Sequence, residues 1–160
     1  MTLSDTSTSA VGTPSGWDQL AASLGCAQKV SQGERSDGNY MTEYLPRDQS
    51  AGVHNRRFTV TMHALPAESA AASVQVEAIL DSLITEARES GANWRECVTL
   101  PWPGGGLAAF LDYSLLEEHS ILACLMHDPC TLCVYQLTTS RGAIPSLSDV
   151  LLLRSLVSLK

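Results

Sequence analysis

The chain has 160 residues, 44% of them hydrophobic and 17% charged, and 10 Lys and Arg stand against 17 Asp and Glu for a formal net charge of −7. That length suits one domain, and the composition is globular rather than disordered. The acidity repels phosphate backbones, which disfavours nucleic-acid binding unless a basic patch is concentrated somewhere, and Arg56-Arg57 is too short to supply one.

No run approaches the roughly 18 apolar residues of a membrane span. Residues 1–16 are rich in Ser and Thr and lack a signal-peptide pattern. They are expected to form a flexible tail before a single α+β domain over residues 17–160. The expected compartment is the cytoplasm, or the periplasm if a leader was removed.

In chain order, residues 17–24 suit a short helix, with Trp17, Leu20 and Leu24 on one face and Gly25 as its stop. Residues 28–39 are polar and read as a loop. Two strands follow, at 40–45 and 57–63. In the second, Phe58, Val60 and Met62 share one face, while Arg57, Thr59, Thr61 and His63 share the other. That period of two marks a sheet with one packed face and one wetter face. A helix is expected over 70–90, with Val76, Leu80, Leu83 and Ala87 on one stripe, Ile79 and Ile84 widening it, and Gly91 at its end.

Residues 101–106, Pro-Trp-Pro-Gly-Gly-Gly, lack the Gly-Lys-Ser/Thr ending of a phosphate loop and read as a connector. Three apolar runs follow, at 108–116, 121–126 and 131–137, separated by brief polar turns. This is the pattern of an antiparallel meander. Ser146-Leu147-Ser148-Asp149, just after Pro145, resembles a capping box for a last helix reaching about residue 159. The expected fold class is therefore α+β: a single antiparallel sheet of about five strands, packed by a long central helix and a C-terminal helix.

This order of elements resembles the PsbP-like fold, which includes DcrB-like bacterial proteins. The likeness is carried by Glu-Tyr-Leu-Pro at 43–46, by Arg-Arg-Phe-Thr-Val-Thr-Met-His at 56–63, by the helix after them, and by the segments at 111–113, 134–137 and 146–159. It covers about residues 40–159. The resemblance implies a mostly non-catalytic family, some of whose members are chaperones for membrane-inserting segments of secreted bacterial toxins. The cysteine cluster and the polar amino-terminal segment depart from that pattern.

Five cysteines stand at 26, 97, 124, 130 and 133, and an odd count argues against a closed disulfide framework. The densest polar group is Cys124, His127, Asp128, Cys130 and Cys133. Thiolates and imidazole suit zinc, but no second ligand pair accompanies Cys130-x-x-Cys133. That motif leads into strand-like residues rather than a helix, which does not favour redox chemistry. If 127–130 is a four-residue turn, Cys124 faces Cys133 with Cβ atoms about 4.5–5.5 Å apart. Buried free thiols are the plain reading, with a metal or redox module on Cys124, His127, Cys130 and Cys133 as the alternative. His119, beside Glu117 and Glu118, reads as solvated charge in a turn.

No Gly-x-Ser-x-Gly elbow exists, and neither catalytic residues nor a cofactor are expected. Trp94 and Trp102 flank the connector; exposed, they mark a partner site, and buried, they are core. Leu152, Leu153 and Leu156 in the last helix offer a stripe for homodimerisation or for capturing an amphipathic segment. The functional expectation is a non-catalytic adaptor or chaperone that binds a hydrophobic or amphipathic protein segment, with a bacterial secretion system as the favoured setting. A structural subunit of an envelope assembly is a third reading.

Overall fold

A computed structural model describes residues 14–157, apart from 37, 51, 104, 105, 141 and 142. In chain order its elements are α1 (Pro14–Ser23), β1 (Gln28–Glu34), β2 (Tyr40–Leu45), β3 (Arg56–Ala64), α2 (Ser69–Glu89), β4 (Asn93–Pro101), β5 (Leu107–Leu115), β6 (Glu118–Asp128), β7 (Thr131–Ser140) and α3 (Leu147–Val157). All seven strands join one sheet in the order β1-β2-β3-β7-β6-β5-β4, and every neighbouring pair is antiparallel.

The sheet separates two cores. One face carries Phe58, Val60, Phe110, Ile121, Tyr135 and Leu137, which pack under Trp17 and Leu24 of α1 and Leu153 of α3. The opposite face carries Leu111, Leu122, Cys124, Leu132 and Val134, which pack under Val76 and Leu80 of α2. Central strands covered on both sides need apolar residues at successive positions, not alternate ones. That is why 108–111 and 121–125 are buried without interruption.

The expected sheet of about five strands, packed by a long central helix and a C-terminal helix, is thereby corrected. Seven strands dominate, and three helices of 10, 21 and 11 residues lie on both faces. The strands absent from the sequence reading are β1 and β4, and these are the two edges of the sheet. Edge strands have one neighbour and thin cover, so polar residues persist in them. In β1, Gln-Lys-Val-Ser-Gln-Gly-Glu passes for a loop. In β4 the half-buried positions are Trp94, Glu96, Val98 and Leu100, and a charge interrupts their apolar alternation. α1 begins at Pro14, before the expected start at Trp17, and residues 1–13 of the expected tail lie outside the described residues.

Arg56, at the start of β3, ties both helices of one face to the sheet. Its Nη1 donates to the Leu24 carbonyl at 2.9 Å, where α1 ends, and to Asp149 Oδ2 at 3.0 Å, where α3 begins. Asp149 and Ser146 form the expected box. The Ser146 amide donates to Asp149 Oδ2 at 2.9 Å, and the Asp149 amide donates to Ser146 Oγ at 3.1 Å. No described helix is long and apolar enough to cross a membrane.

Candidate functional site

The cysteines do not form a site. β6 and β7 meet through a two-residue turn, Pro129-Cys130, with a bulge between Met126 and Asp128. The Cys130 amide donates to Asp128 Oδ1 at 2.8 Å, which stabilises the turn. The resulting pairs are Cys124↔Val134 and Leu125↔Cys133. A slip of one residue from the expected register sends the two cysteines to opposite faces: Cys124 lies in the α2 core and Cys133 in the α1–α3 core. The pairing Cys124↔Cys133 and the four-ligand group with His127 and Cys130 are therefore corrected. Among the described residues, no three His, Cys, Asp or Glu side chains gather around a point where a metal ion would sit.

Burial pushes the Cys124 and Cys133 thiols up to about 12 and Cys26 to about 11, the last despite the opposing charge of Arg56. Thiols held neutral in this way are poor nucleophiles and poor metal ligands. Cys97 and Cys130 are exposed. A thiol reagent is expected to titrate two cysteines quickly in the folded protein and all five after denaturation. Cys130→Ser should remove one of the fast equivalents. A third fast equivalent from the wild-type fold would contradict the burial.

His119 is not a solvated turn residue. It lies in β6, where its Nε2 meets Asp112 Oδ1 of β5 at 2.5 Å, with side chains 13% and 5% exposed. Ser114 is the cross-strand partner of His119, so Ser, His and Asp stand together on one face. Asp112 and His119 satisfy each other's hydrogen-bonding groups in this largely buried position.

The two tryptophans do not share a surface. Trp94 packs on Tyr113 with ring centroids 5.0 Å apart, on the α2 side. Trp102 packs against the opposite core. The α3 leucines divide as well. Leu153 is fully buried, Leu152 and Leu156 are half-buried against the same core, and the exposed ones are Leu147 and Leu151. The proposed binding stripe Leu152, Leu153 and Leu156 is therefore part of the packing.

The apolar surface suited to a ligand lies elsewhere, on the α1 side of the sheet. Tyr40 of β2 and Met62 of β3 are cross-strand partners. With Trp17, Ala64, Gln32 and Thr131 they line an open groove of about 450 Å³. Trp17 forms its buried wall, and Tyr40, 37% exposed, forms its rim. The groove exists because α1 is short. Ten helical residues span about 15 Å, and α1 covers Tyr44, Phe58 and Val60 but leaves the next same-face positions, Tyr40 and Met62, partly open. The signal was present in the sequence as an apolar alternation, Phe58-x-Val60-x-Met62, that outruns the helix facing it.

No family model, curated protein or solved structure matches this chain. Leu116, at the tip of the β5–β6 hairpin, has φ 56° and is 95% exposed. Gly or Asn ordinarily takes that position, so a leucine there combines backbone strain with an exposed apolar side chain.

Proposed function

We propose that this protein is a non-catalytic binding protein, an adaptor or chaperone, that holds a hydrophobic or amphipathic segment of another polypeptide. The observation that carries the reading is the groove of Trp17, Tyr40 and Met62, which is apolar, open, and edged by the polar ends of Gln32 and Thr131. Aromatic and methionine side chains give a large contact area and adapt to varied apolar partners. The His119–Asp112 pair is engaged in a mutual hydrogen bond, and burial holds the core thiols neutral. The resemblance of residues 43–46 and 56–63 to DcrB-like proteins motivates a secretion apparatus as the setting.

The test uses a fluorescent amphipathic helical peptide and an environment-sensitive dye. Both are expected to bind the purified protein. The double variant Tyr40→Ser and Met62→Ser is expected to weaken peptide binding about tenfold or more, which is the loss of one or two contact anchors. Thermal stability should change little, because both side chains are partly exposed. Equal binding by parent and variant would remove the groove from the mechanism, and absence of binding by the parent would remove the function.

A further inference from the structure

The two edges of the sheet are protected unequally. β1 is polar and carries a bulge between Lys29 and Ser31, and both features blunt an edge against pairing. β4 is bulged only near its start, between Trp94 and Glu96. From residue 97 to 101 it runs in unbroken register on β5, and no described strand pairs with its other side. Backbone amides and carbonyls that point outward from this stretch have no ladder partner among the described strands.

The side chains there are arranged for a neighbour. Cys97 and Thr99 are exposed on the α2 side, while Val98 and Leu100 are half-buried on the α3 side. Next to Val98 and Leu100 a crevice of about 90 Å³ runs between β4 and α3, walled by Phe110 and Val157. Arg154 of α3 bonds Glu96 of β4 at its rim. A strand laid outside β4 would turn every second side chain toward this crevice, beneath α3.

We infer that the outer edge of β4, over residues 97–100, accepts an extended partner strand with apolar residues at alternate positions, adding an eighth strand to the seven-stranded sheet. The inference rests on the polypeptide-binding reading but uses a different surface, at the opposite edge of the sheet from the β1–β2 side. Backbone hydrogen bonds hold the partner, and the crevice selects apolar side chains.

The test is amide hydrogen exchange of the full chain with a synthetic nonapeptide alternating valine and threonine. With peptide at about ten times its dissociation constant, outward amides of 97–100 are expected to exchange about tenfold more slowly. The amides of β1 should not change. Val98→Lys, an edge charge of the kind that blocks pairing, should abolish the protection. A fluorophore on Cys97, in a Cys130→Ser background, is a second readout at the strand itself, and its anisotropy should rise with peptide. Three outcomes overturn the inference: no slowing at β4, equal slowing at both edges, or a β4 already protected in particles of twice the monomer mass, which would make a second copy the occupant. The Tyr40 and Met62 variants leave β4 intact, so failure at the edge and failure at the groove are separable.

Discussion

Asp149→Ala is expected to lower the free energy of unfolding by about 3 kcal/mol or more. Two losses combine. The first is the α3 cap, in which Asp149 Oδ2 accepts from the Ser146 amide; caps of this kind contribute about 1 kcal/mol. The second is larger. Asp149 is the carboxylate partner of Arg56, and the two side chains are only 8% and 19% exposed. Removing one partner leaves the other charge half-buried and uncompensated. Arg56 keeps its bond to the Leu24 carbonyl, but a carbonyl dipole does not replace a carboxylate. In a domain of this size the loss corresponds to a fall of about 10 °C in melting temperature.

The origin of that effect is separable by a double-mutant cycle. Arg56→Met alone should also be strongly destabilising, because it strands Asp149. The combined Arg56→Met and Asp149→Ala variant should lose clearly less than the two single losses added. Strict additivity in urea unfolding would mean that the pair is not coupled and that the cap accounts for the effect. The cycle also tests how the face is assembled. Arg56 is the point where the end of α1, the start of β3 and the start of α3 meet, so its loss should increase exchange in both helices.

How much of this was legible beforehand varied with position in the sheet. Phe58, Val60 and Met62 stand out because their strand lies inside the sheet and separates a dry face from a polar one. Val76 and Leu80 stand out because a helix stripe repeats at its own period. β1 and β4 do not stand out because an edge strand need not alternate cleanly. The meander 107–137 was visible as apolar runs, but apolar runs alone do not say that helices cover both faces. Only the uninterrupted burial of Ala108 through Asp112 does.

The site was less legible than the fold, for two physical reasons. A four-residue turn after Met126 would set Cys124 opposite Cys133. One bulge at the end of β6 reverses which face each cysteine occupies. Sequence patterns rarely reveal a bulge. Trp17, Tyr40 and Met62 come from three separate elements, and what joins them is where α1 stops relative to the strands beneath it. That is a length relation between elements, invisible to any local motif. Trp94 and Trp102, eight residues apart in sequence, would share a face under plain alternation, but the bulge between Trp94 and Glu96 shifts the register and sends them to opposite cores.

Raising the pH above 9 is expected to destabilise this protein steeply. Cys124 and Cys133 have an ordinary value of 9.0 and are pushed by burial to about 12. Between those values the unfolded chain gives up protons that the folded chain keeps, so stability is fully present below pH 9 and is lost as pH climbs toward 12. Each thiol removes about 1.4 kcal/mol per pH unit in that window. The two together remove about 5 kcal/mol by pH 11, comparable with the whole stability of many domains. Cys26, Tyr44 and Tyr135 are raised by burial as well and act in the same direction. Cys124→Ala separates this effect from general alkaline damage. At neutral pH the variant should be less stable by about 1 kcal/mol, for the small void it leaves. Above pH 9 its stability should fall more slowly, by about 1.4 kcal/mol per unit, so the two curves should cross near pH 10. Urea midpoints measured from pH 7 to 11 under reducing conditions supply both curves, with Cys97→Ala as the exposed control whose slope should match the parent. Parallel curves for Cys124→Ala and parent would show that ionisation of the buried thiol is not what drives the alkaline transition.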